Sequence, residues 1–213
     1  MIAGVVAITD PSHSGWLDQA LAAIRADVPW LQLRARQLSF TERLQAAQTL
    51  AAACNHTQLL INTDLDIALR VGAAGLQLPR TAPPVEILRQ QAAGRTPTRL
   101  IMVRACHSAE QIVEAHRDGA DAATLSPVFP PGSKPNDTRP TLGLEKLAQI
   151  CAQAPLPIIA LGGITPERAM LCRQAGAAGV AAISALFGMK VNTAEAARAM
   201  CSSWNHRPPT QTQ

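Results

Sequence analysis

Pro157-Ile158-Ile159-Ala160-Leu161-Gly162-Gly163-Ile164-Thr165-Pro166 carries one complete structural unit. Pro157 to Leu161 is an unbroken apolar run, the pattern of a strand buried on both faces. A Gly-Gly turn then leads into a helix from Pro166 to Gln174. The same unit recurs outward in both directions. After it, Gly179 to Ile183 reads as the last strand and Thr193 to Trp204 as the last helix. Before it, strands are expected at Val5–Ile8, Trp30–Arg34, Leu59–Asn62, Gly75–Leu78, Leu100–Val103 and Ala122–Leu125. The intervening helices are expected at Gly15–Arg25, Thr41–Ala53 with Thr41 as N-cap, Asp64–Val71, Pro83–Gln91, His107–Arg117 and Gly143–Ala152. Proline in the first turn of the Pro83 helix costs nothing, because that N–H has no helical partner.

About eight strand–helix units, spaced roughly 20 to 30 residues apart, imply a parallel sheet covered by helices and closed into an α/β (β/α)8 TIM barrel. An open doubly wound sheet is the competing fold. Against it, the first strand–helix turn, Thr9-Asp10-Pro11-Ser12, has no GxGxxG pattern. One domain is expected over residues 1–206, with a disordered tail over 207–213.

Composition narrows the function. The chain has 213 residues, 47% hydrophobic and 16% charged, enough for one sizeable core. Aromatics make up 3% and Tyr is absent, so the core is aliphatic and base-stacking platforms for nucleic acid are lacking. The net charge is +4 without any Lys/Arg run, which suits a small anionic metabolite better than a polyanion. Cys54, Cys106, Cys151, Cys172 and Cys201 are widely spaced and form no CxxC pair, as expected of buried thiols in a cytoplasmic protein. No signal peptide and no membrane-spanning stretch is expected.

In a barrel, polar residues at the C-terminal ends of strands face the active site. Gly162 and Gly163, with Ile183 and Ser184 about 20 residues on, end the seventh and eighth strands and precede helices, a layout that suits one phosphate. Gln32 and Arg34 alternate onto one side of the second strand, with Arg36 beyond them, and a guanidinium there fits a carboxylate or phosphate. The competing role for Arg34 is an internal ion pair with Asp10. His107 stands between strand and helix, where an imidazole can shuttle protons. The competing role is helix capping, since Ser108 and Gln111 look like a capping box. Ser133 and Lys134 lie in the longest loop and could close over a phosphate. The remaining histidines are not spaced as metal ligands.

Taken in order, Ile8-Thr9-Asp10, Gln32-x-Arg34-x-Arg36, Ile61-Asn62, Cys106-His107-Ser108, Pro127-Val128-Phe129, Ser133-Lys134-Pro135, Leu142-Gly143-Leu144, Gly162-Gly163-Ile164 and Ile183-Ser184 resemble the thiamine-phosphate synthase and thiazole tautomerase (TenI-like) superfamily. The resemblance covers about Val5 to Phe187. It implies a phosphorylated thiazole as substrate, with Gln32, Arg34, Arg36, Asn62, Ser133 and Lys134 as binding residues and the Gly162, Gly163, Ile183 and Ser184 group on its phosphate. Barrels of this kind often form homodimers.

The two branches of the superfamily differ in what they need. The synthase resemblance implies Mg2+ held by two aspartates, one directly after the third-strand Asn and one just after the fourth strand. Here those positions are Thr63 and Ala82. Arg36 replaces a Lys, Ala105 a Ser, and Pro131-Gly132-Ser133-Lys134 a Thr-x-Thr-Lys loop. Asp64, one position late, is the candidate compensating ligand. Loss of both carboxylates removes the oxygen donors that Mg2+ prefers. Gln77-Leu78-Pro79 and His107 resemble the tautomerase branch, which needs no cofactor. The leading expectation is therefore a thiazole tautomerase with His107 catalytic; the alternatives are a thiamine-phosphate synthase and a non-catalytic thiazole phosphate binder.

Overall fold

The computed structural model describes residues 1–130 and 140–206. Its strands are β1 (Gly4–Ile8), β2 (Trp30–Leu33), β3 (Gln58–Asn62), β4 (Gly75–Leu78), β5 (Ile101–Cys106), β6 (Ala122–Leu125), β7 (Ile158–Leu161) and β8 (Gly179–Ala182). They alternate with helices α1 (Trp16–Arg25), α2 (Phe40–Ala53), α3 (Leu65–Arg70), α4 (Val85–Ala92), α5 (Ala109–Arg117), α6 (Gly143–Gln153), α7 (Pro166–Gln174) and α8 (Thr193–Asn205). Every strand pairs in parallel with the next, and β8 pairs back to β1, so the sheet is closed. The expected (β/α)8 barrel is the observed fold, and the open sheet is excluded.

Closure follows from residues that are apolar on both faces of each strand. Val5, Ala7, Leu31, Leu33, Leu59, Ile61, Leu76 and Leu78 face outward into the helix layer. Val6, Ile8, Trp30, Leu60, Val103, Ala122, Ile159 and Ala181 come from seven strands yet form one separate cluster, which only a barrel interior allows. Each fully buried Leu or Ile contributes about 1.5–3 kcal/mol over its exposed state. Toward the strand C-termini the interior turns polar, because Gln32 follows Trp30, Asn62 follows Leu60 and Thr124 follows Ala122 at the two-residue period.

Several element boundaries differ from the sequence expectation. The cap of α2 is Ser39 rather than Thr41: the Ser39 hydroxyl accepts from the Glu42 N–H, and the Glu42 carboxylate accepts from the Ser39 N–H. This reciprocal capping box outcompetes a lone Thr two residues later. Pro83 lies before α4 and Pro84 is its N-cap, so neither occupies the first turn. β5 continues three residues further than expected, to Cys106, because Arg104 is tolerated on its outward face. His107 consequently sits between β5 and α5, and the N-cap of α5 is Ser108. Residues 207–213 lie outside the described residues. No helix among the described residues is long and apolar enough to cross a membrane.

Candidate active site at the C-terminal mouth of the barrel

The polar top layer of the barrel is tied together by side-chain pairs. Gln32 Nε2 donates to Asn62 Oδ1 at 3.2 Å, and Asn62 Nδ2 donates to Thr63 Oγ1 at 2.9 Å. Across the barrel, Gln77 Nε2 donates to Thr124 Oγ1 at 3.0 Å. Gln32 is 3% exposed, so its amide would be costly without such a partner.

Arg34 is placed by Thr9. The Thr9 hydroxyl accepts from the Arg34 N–H at 2.9 Å and donates to the Arg34 carbonyl at 3.2 Å. The side chain is half-buried. Burial first, then the neighbouring charge of Arg36, pushes its guanidinium below the ordinary value, and nearby Asp10 partly offsets them. The expected alternative of an Arg34–Asp10 ion pair is not formed, because no carboxylate comes within ion-pair distance of Arg34 among the described residues. The planar fork of a half-buried guanidinium suits a carboxylate or phosphate. Arg36 is exposed and lines a groove of about 940 Å3 together with Asn62, Thr63 and Pro79.

His107 stands at the end of β5. Its Nδ1 lies 2.7 Å from the Ser126 carbonyl oxygen, and the Ser126 hydroxyl is 3.4 Å from the same nitrogen. A carbonyl only accepts, so Nδ1 carries the proton and the lone pair of the neutral ring is on Nε2. Its backbone N–H donates to Gln111 Oε1 at 2.8 Å. The expected capping box of α5 is thus displaced by one residue: the Ser108 hydroxyl accepts from the Gln111 N–H, but the Gln111 side chain returns to His107. The turn thus engages the His107 backbone at the start of α5 while the ring is held by Ser126 at the end of β6. The five cysteines are separate thiols, and burial pushes Cys106 up to about 11 and Cys172 to about 12, away from thiolate chemistry near neutrality.

The Gly-Gly turn after β7 is packed against the chain following β6. Gly162 and Gly163 have φ of +105° and +60°. A Cβ on Gly162 would stand 2.9 Å from Pro127 Cα, and one on Gly163 would stand 2.5 Å from the Pro130 carbonyl oxygen. Phe129 N–H donates to the Gly162 carbonyl, while Arg168 Nη1 holds the Gly163 carbonyl at 2.7 Å and stacks on the Phe129 ring. Thr165 caps α7. Ile183 is half-buried and Ser184 exposed immediately after β8, the strand that neighbours β7. Among the described residues, the N–H groups of Gly163 and Ser184 meet no protein acceptor. Backbone donors in a glycine turn between a strand and a helix suit a phosphate. Ser133 and Lys134 lie outside the described residues.

The residues present do not fit a Mg2+ site at the mouth. Ala82 has no donor. Asp64, the candidate compensating ligand, accepts from the Ile67 N–H at 3.2 Å through one oxygen and pairs with Arg43 at 3.2 Å through the other, so a cation there would compete with the Arg43 charge. Thr63 offers one hydroxyl, already accepting from Asn62. No cluster of three or more His, Cys, Asp or Glu occurs among the described residues.

Two further polar residues stand near the mouth. Thr124 follows Ala122 at the two-residue period of a strand, the signal that places it inside the barrel beside Gln77. Arg104 is 6% exposed on the outward face of β5, and a charge within an otherwise apolar strand was the signal for it.

The family model described as thiamine monophosphate synthase matches residues 5–186. The chain is 36% identical over 200 residues to the thiamine-phosphate synthase of Chlorobium luteolum, covering 93% of this chain and 91% of that protein. It is 34% identical over 174 residues to the thiamine-phosphate synthase of Syntrophomonas wolfei, covering 81% of each. The solved thiamine phosphate pyrophosphorylase of Pyrococcus furiosus superposes with a TM-score of 0.83 at 26% identity, covering 95% of both chains.

Proposed function

Because the chain belongs to the thiamine monophosphate synthase family, we propose that this enzyme of thiamine biosynthesis binds a phosphorylated thiazole and moves a proton on it, as a thiazole tautomerase. The relatives' names lean the other way. They are called thiamine-phosphate synthase or thiamine phosphate pyrophosphorylase, so by name the synthase alternative is the better supported of the two activities. What supports the tautomerase reading is the local chemistry of the mouth. Where the synthase resemblance implies two carboxylates, this chain has Thr63 and Ala82, and Asp64 is already bonded.

In this reading the substrate phosphate sits on the N–H groups of Gly163 and Ser184, beside Gly162 and Ile183. Arg34 takes the ring carboxylate, with Gln32 and Asn62 completing a polar wall and Arg36 adding charge at the rim. Ser133 and Lys134 are further proposed contacts to substrate. His107, with Nδ1 bonded to the Ser126 carbonyl, accepts at Nε2 the proton from the ring carbon that bears the carboxylate. The same nitrogen then delivers a proton to the exocyclic carbon, and aromatisation of the ring drives the step.

The deciding experiment follows the carboxythiazole phosphate tautomer by proton NMR in metal-free buffer. A parallel assay measures Mg2+-dependent formation of thiamine phosphate from the pyrimidine diphosphate and thiazole phosphate. Conversion well above the spontaneous rate in the first assay supports the tautomerase. Activity only in the second establishes the synthase and removes the proton-transfer role of His107.

A further inference from the structure

We propose that Arg104 is a positioning residue that fastens the β4–α4 loop to the strand presenting His107, an inference that rests on the role given to His107 above. Arg104 lies three residues before His107, on the outward face of β5 between Met102 and Cys106. A buried cation in a strand is costly unless it is well partnered, and here the two terminal nitrogens meet one short loop and the C-cap of α5. Nη1 donates to the Pro79 carbonyl at 3.1 Å and the Ala82 carbonyl at 3.2 Å, and Nη2 donates to the Pro83 carbonyl at 3.1 Å. Nη2 also pairs with Asp118, whose other oxygen accepts from the Val85 N–H at 3.1 Å.

The result is a closed set of bonds. The three loop carbonyls and the carboxylate of Asp118, the C-cap of α5, converge on one planar group, and Asp118 also holds the N–H of Val85, the first residue of α4. A guanidinium presents five donors in a fixed fork, a geometry that an ammonium cannot reproduce. The Arg104 backbone meanwhile belongs to the barrel interior, since its carbonyl accepts from Thr124 Oγ1, which accepts from Gln77. Arg104 therefore couples the rim of the mouth, where Pro79 and Thr81 line the groove beside Asn62, to the strand whose end carries His107. The phosphate cup, at β7 and β8, lies outside this set.

The test uses Arg104→Met and Arg104→Lys in the full chain. It reads hydrogen exchange by mass spectrometry, binding of inorganic phosphate, and turnover of the carboxythiazole phosphate tautomer. Expected for Arg104→Met is at least about tenfold faster exchange at residues 80–82 and 85–86 with unchanged protection in β7 and β8. Turnover falls by about tenfold or more through kcat, and phosphate affinity stays within about twofold. Arg104→Lys should fall between Met and wild type. Guanidinium ion, far below denaturing concentration, should restore both loop protection and turnover to Arg104→Met, because a cleft of about 220 Å3 beside Ala82, Glu114 and Asp118 gives it access. Unchanged loop exchange in both variants overturns the clamp. Uniformly faster exchange throughout the chain overturns it in favour of a purely structural Arg. Restored protection without restored turnover overturns the link to His107. If wild type itself does not turn over the tautomer, the proposed function fails, while the exchange and rescue arms still decide the clamp.

Discussion

The Nδ1 atom of His107 lies 2.7 Å from the carbonyl oxygen of Ser126, which joins the end of β5 to the end of β6. That bond fixes both the ring's orientation and its tautomer, and it leaves basicity on Nε2. His107→Asn keeps a side-chain donor able to reach a carbonyl but has no titrating nitrogen. Turnover should drop by about 10²- to 10⁴-fold, the range removed with a general acid–base group. Phosphate affinity, measured by calorimetry, should be unchanged. An Asn variant with wild-type turnover would end the catalytic reading of His107.

Arg34→Met retains the apolar stem and deletes the charge that burial and Arg36 hold below its ordinary pKa. Loss of charge-assisted bonds to an anion costs about 1.5–3 kcal/mol, so substrate affinity should weaken roughly tenfold to a hundredfold. Arg34→Lys should recover only part of this, because a point charge cannot bind a carboxylate bidentately. Equal affinity in all three proteins would place the carboxylate elsewhere.

Gly163→Ala adds a Cβ 2.5 Å from the Pro130 carbonyl oxygen and 2.8 Å from Phe129 Cβ, at a φ of +60°. The turn must move, so affinity for inorganic phosphate should fall by about tenfold along with a loss of about 1–3 kcal/mol in stability. Gly15→Ala is the control. Its φ is +81° but its Cβ meets nothing within 4 Å, so it carries the backbone cost without the steric one and should leave phosphate binding intact.

Thr63 has a φ of +72°, an uncommon conformation for a β-branched residue. Thr63→Asn should raise stability by about 1 kcal/mol in urea titration, since Asn tolerates this region far better. Thr63→Asp combined with Ala82→Asp supplies carboxylates at both positions. That double variant should gain Mg2+ affinity measurable by calorimetry, while wild type shows none under the same conditions.

Asp121 links β5 to the helix layer at the opposite end of the barrel. Burial would raise its carboxyl, but bonds from the Met102 N–H, Arg89 and Arg99 outweigh this and hold it below the ordinary value. The folded state therefore favours the carboxylate. Its contribution is present above the unfolded carboxyl value of about 3.9 and is lost as pH falls through the lower folded one. Asp121→Asn should be less stable than wild type at neutral pH, and the gap should narrow in acid. A gap independent of pH down to strongly acidic conditions would contradict the assignment.

The strands at Gly75–Leu78 and Ala122–Leu125 and the helix at Pro166–Gln174 were legible residue for residue, because apolar runs and turn glycines are local signals. For the cap of α2, Ser39 and Thr41 look alike in sequence until Glu42 closes a bond back to Ser39. The extent of β5 is not legible in sequence because Arg104 breaks the apolar run, and only its partners on the β4–α4 loop and α5 make it tolerable there.

By itself, then, the sequence determined the number and order of strand–helix units, their parallel closure, and the residue types at the mouth, since periodicity and chain length govern these. The two missing carboxylates at Thr63 and Ala82 were also visible without coordinates. Which side chains are already engaged was decided only by the tertiary structure. Among the described residues Arg34 meets no carboxylate, Asp64 bonds Arg43 and the α3 N-terminus, and the Ser126 carbonyl accepts from His107 Nδ1. These pairings join residues up to 21 positions apart, and barrel closure alone fixes which strand ends become neighbours and how their hydrogen-bonding groups divide between the protein and a ligand.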